Sequence, residues 1–154
     1  MKRVVRTDAC HIKAIFTLEN ECFSDPWSYS SLLNEISNPS AFCFVVLDND
    51  EDILGHVTMR KILDEGHISN LAVSNSARRQ GVASLLLHEL FFTAMLHKLR
   101  ALTLEVRSKN TPALALYHKF GFRSFGLRRG YYTKPTDDAI IMWADCISVK
   151  VRKG

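Results

Sequence analysis

The chain has little of what would staple, thread or metallate a protein. Its 4 cysteines, Cys10, Cys22, Cys43 and Cys146, contain no C-x-x-C spacing, which argues against a zinc knuckle or a redox pair and leaves reduced, mostly buried thiols as the expectation. None of its 6 histidines (His11, His56, His67, His88, His97, His118) falls in an H-E-x-x-H arrangement, so no metal is expected. No apolar run approaches the ~20 residues of a membrane span. Charges at Lys2, Arg3, Arg6 and Asp8 occupy the stretch where a signal peptide carries its apolar region. A cytoplasmic protein without a membrane partner is the resulting expectation. With 7 glycines and 4 prolines the sequence shows no low-complexity segment, internal repeat or interdomain linker. A net charge of +4 is a moderate excess, suited to a phosphorylated cofactor or an acidic partner. It does not make a nucleic-acid binder, and the basic tail Lys150 to Gly154 reads as a solvated terminus.

What is present is an ordinary globular composition, 47% hydrophobic and 23% charged over 154 residues, enough for one self-sufficient domain spanning 1–154. Val4 to Arg6 reads as a short strand, and Asp8 caps a helix from Ala9 to about Phe23 with Ile12, Ile15, Phe16, Glu19 and Phe23 at helical spacing. Ser28 caps a second helix through Leu32, Leu33 and Ile36 that ends near Asn38-Pro39. Phe42–Leu47 and Ile53–Leu63 flank the acidic turn Asp48 to Asp52 as antiparallel strands. His67 to Val73 is a strand whose consecutive Leu71, Ala72 and Val73 break the alternation, which a bulge would explain. A long helix from Ser84 to His97, a strand from Ala101 to Val106 and a helix from Asn110 to Lys119, ended by Gly121, come next. Phe122–Arg128 and Ala139–Ile147 close the chain as strands around a long connection, Gly130 to Asp138. The order β-α-α-β-β-β-α-β-α-β-β is a mixed α/β domain without a Rossmann-like run of βαβ units.

Between the strand ending at Val73 and the long helix lie Arg78, Arg79, Gln80, Gly81, Val82 and Ala83, with Ser84 following. The first turn of a helix has N–H groups without intrahelical partners and the positive end of the helix dipole. An anion fits there: Gly81 leaves the backbone open to a phosphate, Ala83 keeps the same face clear, and the two arginines add charge. By itself the segment reads equally well as a basic turn before an amphipathic helix.

The pattern R-x-x-G-x-A resembles the acetyl-coenzyme A loop of the GNAT acetyltransferases. A second segment strengthens the likeness: Leu104-Glu105-Val106-Arg107, Asn110, Ala113 and Leu116-Tyr117, with Gly121-Phe122, resembles the signature of the N-terminal protein acetyltransferases within that superfamily, most closely the RimI type. Phe23 to Ser28 resembles that group's loop between its first two helices. Arg128-Arg129-Gly130-Tyr131-Tyr132 and Asp138 to Met142 resemble its R-R-x-Y-Y and D-A-x-x-M segments. The match covers nearly the whole chain. It implies the GNAT fold: a mixed, mostly antiparallel sheet of about seven strands, splayed at an acetyl-CoA cleft, with about four helices. Two departures stand out. Ala83 replaces a glycine of many bacterial members, and Gly66 to Val73 is similar to the G-H-I-x-x-L-A-V of archaeal and eukaryotic members, which bears on the acceptor and leaves the cofactor loop intact.

Acetyl transfer from a thioester to an amine needs a neutral amine, a stabilised oxyanion and a proton for the departing thiolate. Glu105, at a strand end, is a carboxylate that on its own reads as a surface partner of Arg107 or Lys109. Tyr117 on its own reads as a half-buried core aromatic, and Asn110 as a helix cap. The resemblance implies instead that Glu105 is the base, Tyr117 the acid and Asn110 a coenzyme ligand. It further implies that backbone N–H groups at Leu71 and Val73, around Ala72, hold the pantetheine arm and thioester carbonyl. Phe23, Trp27, Tyr131 and Tyr132 are the expected walls of a groove for an extended peptide end, and His67 reads as a strand histidine with a structural role.

An α-amine has pKa ≈ 7.7–8.0 against ≈ 10.4 for lysine, so deprotonation at neutral pH costs about 3 kcal/mol less for a protein N-terminus. The expected reaction is direct transfer from acetyl-CoA to a protein α-amine. The resemblance implies an alanine N-terminus on a small-subunit ribosomal protein, with the enzyme a monomer or weak dimer. A GNAT acting on lysine, a polyamine or another small amine is the alternative within enzymes, and a CoA-responsive binding module the alternative outside them. The cysteines lie outside the matching segments, so no acyl-enzyme is expected.

Overall fold

Short-range side-chain contacts start and stop the helices at nearly the positions their capping residues predict. The protein's structure, a computed structural model, describes residues 1–146. Ile147, at the end of the last expected strand, and the tail Lys150 to Gly154 lie outside the described residues. Asp8 accepts from the Ala9 N–H at 2.8 Å, but its helix opens with a 3₁₀ turn, Ala9–His11, before α1 (Ile12–Cys22). The side chain of His11 returns the favour by accepting from Asp8 N–H, closing a reciprocal cap. Ser28 Oγ accepts from Ser31 N–H at 3.1 Å to begin α2 (Tyr29–Ile36). In α4 (Thr111–Lys119) Asn110 Oδ1 accepts from Ala113 N–H at 3.3 Å. Gly121 then takes φ +92°, and the Phe122 N–H reaches back to Tyr117 C=O. The remaining helix, α3 (Val82–Leu96), is apolar on nearly all sides and buries Leu86, Leu87, Leu90 and Ala94 completely.

Among the described residues seven strands hydrogen-bond in the order β1-β2-β3-β4-β5-β7-β6: β1 (Arg3–Arg6), β2 (Ala41–Leu47), β3 (Ile53–Ile62), β4 (Glu65–Val73), β5 (Ala101–Arg107), β6 (Arg123–Thr133) and β7 (Thr136–Asp145). By compactness the chain divides into one unit made of Met1–Arg60 with Ser69–Leu90 and a second made of Lys61–Ile68 with the chain from Phe91 onward.

In the first unit β2 is antiparallel to both β1 and β3, in register Val5↔Val45 and Val45↔His56. All seven β2 residues are buried, as expected of a strand covered on both faces. Ile12, Ile15 and Leu32 pack with Val45 and Leu47, and Trp27 is partly buried against them. Along its length β4 keeps period two: Gly66, Ile68 and Ala72 are buried, while Leu71 and Val73 are half-covered on the opposite face.

In the second unit β5 pairs antiparallel with β7 (Leu104↔Met142, Glu105↔Ile141) and parallel with β4 through Glu65↔Ala101, Gly66↔Leu102 and His67↔Thr103. Phe91, Phe120, Phe122 and Tyr117 form an aromatic cluster, with Tyr117 edge-on to Phe122 at 5.6 Å. The long connection expected at Gly130 to Asp138 is instead strand. Gly130, at φ +63°, sits in a register shift between Arg128 and Tyr132, so β6 continues to Thr133 and turns tightly into β7. Glycine and proline signalled a loop where they mark a bulge and a turn.

Candidate active site

Glu105 lies on β5 between two buried neighbours, Leu104 and Val106, which turn its own side chain to the other face. His67, on the adjacent strand β4, faces it. Its Nε2 lies 2.9 Å from Glu105 Oε2 and 3.2 Å from Oε1. That bond is the main reason the Glu105 carboxyl sits below its ordinary pKa. Partial burial works against it, and the His67 and Arg128 charges add to the lowering. The carboxylate therefore does not pair with Arg107. The Arg107 guanidinium donates to the carbonyls of Pro135 (2.7 Å) and Lys134 (3.2 Å) and lies 4.2 Å from the centre of the Tyr132 ring. His67, expected to be structural, is in hydrogen-bond contact with the predicted base.

Tyr117 projects from the second turn of α4 and is buried, and burial, with the nearby Tyr132, pushes its hydroxyl up to about 12. The hydroxyl keeps its proton throughout the physiological range. Tyr132 is half-buried and raised likewise to about 12, first by burial and then by Tyr131 and Glu105. Tyr131 meets Tyr132 edge-on at 5.0 Å and is exposed. The hairpin carrying both is fastened by Asp137, which accepts from Ser108 Oγ (2.5 Å) and Lys109 N–H, and by Asp138, which accepts from Gly130 N–H. In this unit the structure brings Glu105, Tyr117 and Tyr132 into one neighbourhood with His67, Arg107 and Arg128. Asn110 is exposed, its side chain engaged as the α4 cap.

The first unit carries the loop. After a 3₁₀ turn, Asn75–Ala77, Arg79 and Gly81 adopt φ +64° and +79°. Gly81 C=O accepts the first helical bond, from Leu85 N–H, so the amides of Val82, Ala83 and Ser84 are the open first turn of α3. No atom lies within 4 Å of where a Gly81 Cβ would be. The loop backbone is open to a bulky anion, and the residues present fit a pyrophosphate. The last turn of α1 braces this loop: Glu21 Oε2 accepts from Asn75 N–H at 2.8 Å, and Cys22 Sγ donates to Val73 C=O at 3.4 Å. Arg78 also reaches Val73 C=O and lies 3.8 Å from Cys22 Sγ, while Gln80 donates to Ser76 C=O. Arg79 is exposed.

Cys22 thus sits beside predicted cofactor residues despite its distance from them in sequence. Burial raises its pKa, as it does for Cys43 (about 12) and Cys146 (about 11), so each is a poor nucleophile at neutral pH. Phe23 and Trp27 are half-buried, and Asp25, Pro26 and Trp27 border a surface depression of about 480 Å³ with Glu35 and Arg60. Among the described residues, the acidic turn Asp48, Asp50 and Asp52 is the one group of side chains close enough to share an ion. Asp48 Oδ1 there accepts from the N–H groups of Asp50 and Asp52.

Sequence reading missed one polar feature of this unit. Glu19 and His56 are fully buried with Nε2 2.8 Å from Oε2, and Asn70 Nδ2 donates to the same oxygen at 2.6 Å. The signal was visible as a carboxylate at an apolar position of α1.

In the second unit a strand carboxylate hydrogen-bonds a histidine and a tyrosine is buried, and in the first a glycine leads an open helix start. The family model of the acetyltransferase (GNAT) family matches residues 12–122, and the chain belongs to that family. A relative from Bacillus subtilis strain 168 is 33% identical over 133 residues, covering 86% of this chain and 87% of its own length. The [ribosomal protein bS18]-alanine N-acetyltransferase of Haemophilus influenzae is 29% identical over 145 residues, 92% of this chain and 97% of its own. The crystal structure of the ribosomal-protein-S18-alanine N-acetyltransferase from Escherichia coli superposes with a TM-score of 0.87 at 28% identity, covering 95% of this chain and 94% of that one.

Proposed function

We propose that the protein transfers an acetyl group from acetyl-coenzyme A to the N-terminal α-amine of a protein, its acceptor a small-subunit ribosomal protein beginning with alanine. The observation that carries this reading is the near end-to-end similarity to proteins named for that reaction. The whole of 1–154 acts as one acetyltransferase domain, and transfer takes place in one ternary complex.

Acetyl-coenzyme A, when bound, supplies the activated thioester. The amides of Gln80 to Ser84, with Arg78 and Arg79, hold its pyrophosphate. Leu71, Ala72 and Val73 hold the pantetheine through the backbone, a role supported by a β4–β5 ladder whose pairs run only from Glu65 to His67. Asn110 adds a contact from the α4 cap. Phe23, Trp27, Tyr131 and Tyr132 admit the acceptor's N-terminus.

The depressed pKa of Glu105 constrains its part. An ordinary carboxylate already lies well below an α-ammonium in pKa, and Glu105 is lowered further by its bond to His67, so taking the proton of a resting ammonium is uphill. The acceptor therefore reacts as the neutral amine: its nitrogen attacks the thioester carbonyl, and Glu105 takes the proton that bonding to carbon has made acidic. Tyr117, protonated up to about pH 12, gives its proton to the departing sulfur. The raised thiol pKa values support direct transfer over an acyl-cysteine route.

The test is a panel of peptides and free amines assayed with acetyl-CoA, using wild type, Glu105→Gln and Tyr117→Phe. The expected result is turnover of Ala-initiated peptides with a loss of ~10²–10⁴-fold in either variant. Equal rates on lysine or polyamines would overturn the acceptor assignment.

A further inference from the structure

The Glu19 cluster joins three pieces of the first unit that the proposed reaction uses separately. Glu19 Oε1 accepts from the backbone N–H of Trp27 at 3.1 Å, in the loop after α1. Its Oε2 accepts from Asn70, the residue before Leu71, and bonds His56 of β3. One buried carboxylate thereby fixes the loop holding Phe23 and Trp27 to the strand that leads into Leu71–Val73. Burial raises the Glu19 pKa, but the bonds from His56, Asn70 and Trp27 outweigh it, so the group is held as a carboxylate below its ordinary pKa.

Stability alone is a poor account of such a group. A buried carboxylate with its partner is frequently matched or bettered by apolar side chains of similar volume, and Glu19 lies on the helix face of Ile12 and Ile15, where an apolar residue would pack. What an apolar residue cannot supply is an acceptor for the Trp27 N–H. Loop residues from Ser24 to Trp27 make no helix or strand hydrogen bonds of their own, so this contact sets where the loop lies.

We propose that Glu19 is a positioning residue for the acceptor: through the Trp27 N–H, and anchored by His56 and Asn70, it holds the Phe23–Trp27 loop in the shape that receives the peptide end. The inference rests on the acceptor reading of that loop given above.

The experiment is steady-state kinetics on the full chain with acetyl-CoA and an Ala-initiated peptide, comparing Glu19→Leu, Glu19→Gln and Asn70→Ala. Glu19→Leu removes the acceptor for the Trp27 N–H, whereas Glu19→Gln keeps an oxygen for it. The expected result is a rise of about tenfold in the peptide KM of Glu19→Leu, equivalent to about 1.4 kcal/mol, with kcat and the acetyl-CoA KM within about twofold. Glu19→Gln and Asn70→Ala should show smaller rises in the same constant. A merely structural role lowers the active fraction, and so the apparent kcat, while both KM values stay put. An unchanged peptide KM in the folded variants overturns the proposal. Should Glu19→Leu not fold, Asn70→Ala carries the test, because it removes one anchor and leaves the core volume intact. Failure of wild type to turn over any α-amine peptide would instead sink the acceptor reading itself.

Discussion

Gly55 sits in β3 where β4 and the start of α3 come closest to it, and it is the position at which a single methyl group should be most informative. A Cβ built there would lie 2.7 Å from Val82 Cγ1 and 2.9 Å from the carbonyl oxygen of Ala72, with Leu86 Cδ1 at 3.5 Å. The valine methyl can give way by a rotamer change, but the Ala72 oxygen is backbone and can only move with β4. Overpacking of this kind costs ~1–3 kcal/mol. For a chain of this length each kcal/mol lowers Tm by roughly 2–4 °C, so Gly55→Ala should melt about 2–12 °C below wild type. The displaced groups belong to the two segments assigned to the cofactor, Leu71–Val73 and the first turn of α3, so the acetyl-CoA KM should rise more than the peptide KM. Differential scanning calorimetry and bisubstrate kinetics read the two effects. A Tm equal to or above that of wild type would show that β4 and α3 do not approach β3 as described, and the reasoning would fail at its first step.

Other perturbations follow from the same geometry. Gly81→Ala forces a Cβ into φ +79°, at a cost of about 1–2 kcal/mol in an otherwise open loop, and should raise the acetyl-CoA Kd measured by calorimetry while leaving peptide affinity alone. Tyr117 holds its proton to about 12, so kcat/KM should rise through the acceptor's amine pKa near 8 and show no Tyr117-dependent fall below pH 10. A basic limb below pH 9 that vanishes in Tyr117→Phe would contradict this. The folded pKa of Glu105 is depressed, so its contribution to stability is complete above the unfolded carboxylate value and is lost as pH falls through the folded one. His67→Ala removes the main cause of the depression, and its unfolding midpoint in urea should fall less than that of wild type as the pH is lowered through the ordinary carboxylate range.

Much of the fold was legible because its signals are local. Asp8, Ser28, Asn110 and Gly121 each act within four residues of where they stand, and each does in the structure what its chemistry predicts. The Gly81 turn is of the same kind. What the sequence concealed is set by partners distant along the chain. The pairing of Glu105 with His67 joins residues 38 apart, and the local alternative, Arg107, is diverted to the Lys134 and Pro135 carbonyls. Cys22 meets Val73 across 51 residues, as Glu19 meets Asn70. Only the chemical oddity of a carboxylate on an apolar helix face hinted at the last. The β6–β7 turn was misread for a different reason. Gly130 and Pro135 are compatible with a loop or with a bulged hairpin, and the choice depends on pairing with β7 that no local pattern encodes.

The central claim is that the acetyl group is delivered to an α-amine. Its most direct test is a peptide that begins with alanine and carries an internal lysine, incubated with the enzyme and acetyl-CoA and sequenced by tandem mass spectrometry. The account predicts a single acetyl group on the alanine nitrogen, formed by wild type and lost with Glu105→Gln. Acetylation of the lysine side chain with the α-amine left free would contradict it.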